Sequence, residues 1–311
     1  MKLSEIVAAK NLLVKSNIRP ISDSSLVGIQ NIFELAEKLP PSHGQALAVN
    51  FNNVKESINA FAVSIENQIH EYTMLINTHG HEYFQKSTAL YQEQMVQETN
   101  QYILGRRLTI TEPTLDLIKK RLAGLVNSFY TGAIIRPCAS SDLIKDMVAF
   151  NPLYLIDTSE ELIYPAIENF TSQYQNRLCL YEIKESPSDP VLNTLPDNNF
   201  GMFLAYGYFD FKPMEIVKNF LKEIFLKLKP GGTLAFTIND CDFEHNVFAV
   251  EQNYMCYTPG HLILEYARQL GFTKMFELHD NGIHWFELNK PGVLTTLRGG
   301  QAFAQIARHP T

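Results

Sequence analysis

The feature that most constrains this chain is a change of apolar periodicity near Thr131. Before it, apolar residues recur at helical intervals; after it, short apolar runs alternate with helix-length stretches. Residues 1–130 therefore read as a helical region. Ile6, Val7, Leu12, Leu13 and Val14 mark a first helix over 4–15. Ser22, Asp23, Ser24 and Ser25 supply N-cap candidates for a second that ends near Leu39-Pro40-Pro41. A long segment over 52–104 then places Val54, Ile58, Phe61, Ile65, Tyr72 and Leu75 at intervals of three, four or seven. Polar Gln68 holds the intervening position, Gly80 is a candidate bend, and Tyr83, Leu90, Met95 and Ile103 continue the stripe. A stripe of this kind suits an amphipathic or coiled-coil helix, which must bury its face against something. Self-association through these N-terminal helices is the expectation.

From Thr131 the apolar runs are Ala133-Ile134-Ile135, Leu153-Tyr154-Leu155-Ile156, Leu178-Cys179-Leu180-Tyr181, Met202-Phe203-Leu204-Ala205 and Thr233-Leu234-Ala235-Phe236-Thr237. Segments 142–149, 160–174 and 214–228 between them are long enough for helices. Strands alternating with helices imply right-handed crossovers and a mostly parallel sheet covered on both faces. The predicted fold class is thus a doubly wound α/β domain over 131–291, preceded by the helical region and followed by a tail, 292–311, that matches no recognisable pattern.

Composition removes several function classes. Twenty-six Lys and Arg against 33 Asp and Glu give a formal charge of −7 over 311 residues, which argues against broad binding to phosphate backbones. Four cysteines are widely spaced with no C-x-x-C pair, so reduced thiols fit better than a zinc ribbon or a disulfide scaffold. Lys10 and Lys15 interrupt the apolar stretches at the N-terminus, unlike a signal peptide. No uninterrupted apolar run reaches the ~18 residues of a membrane span. A cytoplasmic protein, or a viral component assembled in a host cytoplasm, is expected.

Four segments of the second half carry a further pattern. Ala133-Ile134-Ile135-Arg136-Pro137-Cys138-Ala139-Ser140-Ser141 is a strand followed by a turn. Leu155-Ile156-Asp157-Thr158 ends the next strand on an acid, one helix and one strand later. Leu195-Pro196-Asp197-Asn198-Asn199-Phe200-Gly201 leads into another strand, and Leu228-Lys229-Pro230-Gly231-Gly232 closes a helix with Pro and Gly before the fifth. In this order the segments resemble the class I, Rossmann-like, S-adenosylmethionine-dependent methyltransferases. The glycine-rich motif is degenerate: Pro137, Ala139 and Ser141 stand at its three glycine positions, Ile135 at its usual acid, and Gly201 where a further Asp is common.

The resemblance implies S-adenosylmethionine as cofactor and an unidentified methyl acceptor as substrate. It places Asp157 on the ribose hydroxyls, Cys138, Ala139 and Ser141 beside the methionine part, and Ala205, Tyr206 and Gly207 along the far side. Glu182 or Glu185 falls near the family's adenine-contacting acid, although both also read as solvated charges. No residue declares itself as a catalytic base. The replaced glycines and acids carry the alternative: a catalytically inactive methyltransferase fold serving as a structural or adaptor protein in a larger assembly such as a virus particle.

Other clusters have plainer readings. His79-Gly80-His81 lacks a third ligand for a metal. Asp240, Asp242, Glu244 and His245 follow the fifth strand, on the rim where substrates of open α/β sheets bind, and there a carboxylate or His serves as a base or as ordinary loop polarity. Tyr206-Gly207-Tyr208-Phe209 would wall a pocket or pack beneath the next helix. Asn151-Pro152-Leu153-Tyr154 has an amino-methylase flavour but precedes the wrong strand, and Lys119-Lys120-Arg121 reads as a solvated helix face.

Overall fold

The computed structural model describes residues 2–19, 38, 40–90, 111–125, 130–140, 143–252, 255–280 and 282–293. Two compact units divide it, 1–80 and 81–311. In the first, helix α1 (Leu3–Ser16) buries Leu3, Ile6 and Val7, and Asn17 closes it in a left-handed conformation with its N–H on Val14 O. Helix α2 (Pro41–Leu90) begins in this unit, and its helical assignment continues unbroken through Gly80. Residues 91–110, where the stripe was expected to continue, lie outside the described residues, as do the caps at 22–25 and the tail from 294.

The second unit opens with α3 (Glu112–Leu125), followed by β1 (Thr131–Ile135) and β2 (Leu153–Asp157). Helices α4 (Glu160–Ile167) and α5 (Ser172–Gln175) lead to β3 (Leu178–Glu182) and β4 (Phe200–Ala205). After α6 (Met214–Lys227) come β5 (Leu228–Ile238), α7 (Glu244–Glu251), α8 (Gly260–Leu270), β6 (Thr273–Asp280) and β7 (Ile283–Asn289). The sheet order is β3-β2-β1-β4-β5-β7-β6. β1 to β5 pair in parallel; β7 is antiparallel to both β5 and β6. This is the doubly wound, mostly parallel fold anticipated from the alternating pattern, its reversal of order falling between β1 and β4.

Both faces of the sheet are covered. Ile118 and Leu122 of α3 and Ile163 and Ala166 of α4 join Ile134, Leu155, Leu204 and Trp285 on one face. Val217, Phe220 and Ile224 of α6 and Ile263 of α8 join Ile135, Phe203, Phe236 and Phe286 on the other. Helix α3, which the sequence reading grouped with the helical region, is thus part of the α/β core. Two further expectations change in detail. Residues 142–149 hold a single 3₁₀ turn, Ile144–Met147, among the described residues rather than a full helix. The Lys229-Pro230-Gly231-Gly232 segment is a bulge inside β5 instead of a turn ahead of it. Gly231 takes φ 82°, its N–H donates to Lys290 O at 2.7 Å, and Asn289 Nδ2 donates to both glycine carbonyls.

Gly201 has a packing reason for its identity. A Cβ there would lie 2.7 Å from Tyr130 Cβ and 3.0 Å from its Cγ. Tyr130 is buried, so it has little room to retreat. Gly201→Ala is expected to cost about 1–3 kcal/mol, seen as a lower urea midpoint with an unchanged slope.

Candidate functional site at the carboxyl ends of the strands

Three adjacent strands, β2, β1 and β4, deliver most of the residues singled out in the sequence to one rim. Asp157 ends β2, Cys138 and Ala139 follow β1 in a 3₁₀ turn (Pro137–Ser140), and Ala205 ends β4 with Tyr206 and Gly207 behind it. Ser141 lies outside the described residues. Cys138 and Ala139 are half-buried; Asp157 and Ala205 are wholly buried. Burial, with Asp157 nearby, pushes the Cys138 thiol up to about 11, which makes it a poor nucleophile. Gly207 N–H donates to Thr237 Oγ1 at 2.8 Å, tying the exit of β4 to β5.

The central element is a buried ion pair. Arg136, 1% exposed, leaves β1 with φ 56° and donates its backbone N–H to Ile156 O at 2.9 Å. Its Nε lies 3.1 Å from Asp157 Oδ1 and 2.8 Å from Oδ2. Oδ1 also accepts the Thr158 N–H at 2.7 Å and is 3.3 Å from the Thr158 hydroxyl. Oδ2 is sealed from solvent, yet no hydrogen bond of good geometry reaches it. Burial raises the Asp157 pKa, opposed by Arg136 and the Thr158 N–H.

The polar network extends across the rim. The Arg136 guanidinium sits 5.3 Å from the Tyr208 ring centroid, and Lys212 Nζ lies 4.8 Å from the same centroid. Lys212 Nζ pairs with Glu185 Oε1 at 2.6 Å, and the Tyr208 hydroxyl donates to that same oxygen. Glu185 is therefore a member of a buried network and not the solvated charge expected from its loop, whereas Glu182 is exposed. Arg136 and Lys212 balance Asp157 and Glu185, so the cluster is neutral as a whole. The aromatic segment divides its work: Phe209 packs on Phe220 and Phe236 beneath the sheet face, while Tyr206 approaches Trp285.

A second constellation sits farther along the same rim. Asp240, just past β5, accepts the N–H groups of Gly260 and Asp242 on Oδ1, anchoring the start of α8. Its Oδ2 lies 2.6 Å from His284 Nδ1. With Asp240 ionised, Nδ1 carries the proton and Nε2 is left as the acceptor. The His284 ring is held between Phe286 at 4.0 Å and the edge of Phe243 at 5.5 Å. Asp242 engages the His261 N–H and ring, while Glu244 and His245 are exposed. The sequence reading named Asp240 and missed His284, because nothing local reveals that β7 lies beside β5. Asp157 and Asp240 follow strands three steps apart, ~14 Å at ~4.8 Å per step. Among the described residues no group of three or more His, Cys, Asp or Glu is placed to hold a metal, and no helix is long and apolar enough to cross a membrane.

No family model matches the chain, and no curated protein matches it in sequence. Solved structures match it distantly. An S-adenosylmethionine-dependent methyltransferase from Aquifex aeolicus is 16% identical, with a TM-score of 0.40 over 57% of this chain and 89% of the other. A putative methyltransferase of the same cofactor class from Listeria monocytogenes is 12% identical, with 0.42 over 55% and 95%. A protein from Bordetella parapertussis described as possibly exported is 13% identical, with 0.45 over 59% and 69%.

Two outcomes are expected. Asp157→Ala leaves Arg136 as an uncompensated buried charge and should cost about 3–5 kcal/mol, whereas Arg136→Met with Asp157→Leu should recover more than half of that; equilibrium denaturation measures both. Burial raises Asp210, whose carboxylate accepts the Thr237 hydroxyl at 2.6 Å, to about 6. Its folded pKa lies above the unfolded value, so the native state holds this proton more tightly and Asp210 lowers stability as pH rises from 4 to 6. Asp210→Asn, which keeps the acceptor oxygen, should gain about 2 kcal/mol at neutral pH. That gain should vanish by pH 4 in pH-resolved denaturation curves.

Proposed function

We propose that the α/β unit binds S-adenosylmethionine, with Asp157 receiving the ribose hydroxyls, and acts as a methyltransferase. One observation carries this reading. Asp157 Oδ2 is a buried carboxylate oxygen beside the switch in strand order, 2.8 Å from Arg136 Nε but with no hydrogen bond of good geometry. Such an orphan is costly unless a ligand supplies the donor, and a vicinal diol has two O–H groups to give. Cys138 and Ala139 would border the methionine part, and Ala205, Tyr206 and Gly207 the far side. The cofactor's chemistry is an electrophilic methyl carbon. The chain's own part is to position an acceptor hydroxyl or amine against it and to receive the proton, for which His284, oriented by Asp240, is the best-placed base.

A second reading rests on the other half of the same pair. Arg136 already neutralises Asp157, and Pro137 opens a 3₁₀ turn where the family has glycines, so the fold would serve assembly without a cofactor. Calorimetric titration of the intact chain with S-adenosylmethionine and S-adenosylhomocysteine separates the two. Micromolar binding, lost in Asp157→Asn, is the expected result. No heat and no thermal shift at millimolar ligand would overturn the methyltransferase reading and leave the second.

A further inference from the structure

A buried chain of three groups ties the exit of β4 to β5. Gly207 N–H donates to Thr237 Oγ1 at 2.8 Å, and the Thr237 hydroxyl donates to Asp210 Oδ2 at 2.6 Å. Asp210 lies in the 3₁₀ turn just beyond (Phe209–Phe211), and it and Thr237 are both buried. Gly207 takes φ 65°, a conformation that a glycine enters and leaves at little cost, so the bond to Thr237 is what fixes it. On either side of Gly207 stand Tyr206, which approaches Trp285, and Tyr208, which donates to Glu185 and lies 5.3 Å from the Arg136 guanidinium. The bond to Thr237 thus sets the joint between two aromatic side chains of the rim.

A carboxylate is a costly anchor for this chain. Burial raises Asp210 to about 6, opposed by the Thr237 hydroxyl and its own N–H, and no charged group shifts it. Of the titratable groups around it, Tyr208 and Lys212 turn to Glu185, the Cys256 thiol to Phe211 O and the Cys241 thiol to Asn239 O. An amide would accept the Thr237 hydroxyl without the penalty of a buried charge. What the carboxylate alone adds is a second state. Ionised, it takes the Thr237 proton in a charge-assisted bond, which leaves Oγ1 a stronger acceptor for Gly207. Protonated, it makes only a neutral bond, and its own O–H competes with Gly207 for Oγ1. We propose that Asp210 is a positioning residue whose ionisation, relayed through Thr237, holds Gly207 and with it the β4 exit that walls the cofactor site. Its role in binding rests on the S-adenosylmethionine reading of the site, whereas the relay operates without ligand.

The Gly207 amide proton, followed by nuclear magnetic resonance in the intact ligand-free chain, reads the relay directly. It should move downfield as Asp210 ionises, with a midpoint of about 6. Asp210→Asn should hold it at the acid-side position at every pH, and Thr237→Ser, which keeps the hydroxyl, should keep the step. S-Adenosylhomocysteine, titrated calorimetrically over the same range, should bind about fivefold more tightly on the alkaline side of the step, the difference between a charge-assisted and a neutral hydrogen bond. Asp210→Asn should bind at the weaker level throughout. A Gly207 amide that does not titrate would overturn the proposal, as would a step that persists in Asp210→Asn and so belongs to another group. Binding that ignores pH would overturn the positioning role and leave the cofactor reading standing. A Gly207 step with no binding at all would overturn the cofactor reading, and the positioning role with it, while leaving the relay.

Discussion

The buried contact between Arg136 and Asp157 governs how the strands of this sheet end. A guanidinium and a carboxylate withdrawn from water are expensive, and attraction repays the cost only where further bonds satisfy the remaining groups. Here the repayment is spread over neighbouring strand exits. Thr158 saturates one oxygen of Asp157, Tyr208 offers its ring face to Arg136, and Lys212 and Glu185 close the circuit from the exits of β4 and β3. Losing one member leaves a buried charge unpaired, so the exits of β1 to β4 are fixed together.

The same contact explains how a turn can form here without glycines. A left-handed residue is normally a glycine, because a side chain in that conformation costs roughly 1–2 kcal/mol. Arg136 adopts φ 56° with its full side chain. Its backbone N–H stays bonded to Ile156 O while its side chain crosses to Asp157, so two anchors on β2 hold the strained residue. Pro137 then needs no N–H of its own to begin the 3₁₀ turn. Glycine would give such a turn its shape through conformational freedom; here the ion pair imposes it, at the expense of space beside the carboxylate.

What could be read from the sequence follows from which interactions are local. Strand runs such as Leu153–Asp157 and Phe200–Ala205 announce themselves because burial on both faces demands continuous apolar residues. Asp157 was legible as a strand-end acid. Its partner was not, since an arginine before a proline has no local signature and meets Asp157 only through the pairing of β1 with β2. Lys212 and Glu185 were hidden for the same reason, and Glu185 was read as a loop charge because its loop is polar. Gly201 looked like a lost acid until Tyr130 supplied the packing that excludes any side chain there. Helix α3 lacked a strand-like neighbour in sequence, so nothing local tied it to the sheet it covers.

The two polar centres of the rim differ in the partner each carboxylate holds, and that difference is what the proposed methyl transfer would need. Asp157 is clamped by Arg136 and the Thr158 N–H, an arrangement that holds a fixed acceptor, while burial raises its pKa. Asp240 instead holds His284 by Nδ1, and with Asp240 ionised the other ring nitrogen is left as an acceptor. A recognition group must keep its state through a reaction, whereas a base must change it. Antiparallel β7 is what permits the separation: it inserts between β5 and β6, carrying His284 to the β5 exit, three strand steps from Asp157. The order of the sheet, more than any single motif, therefore separates the Arg136–Asp157 pair from the Asp240–His284 pair on this rim.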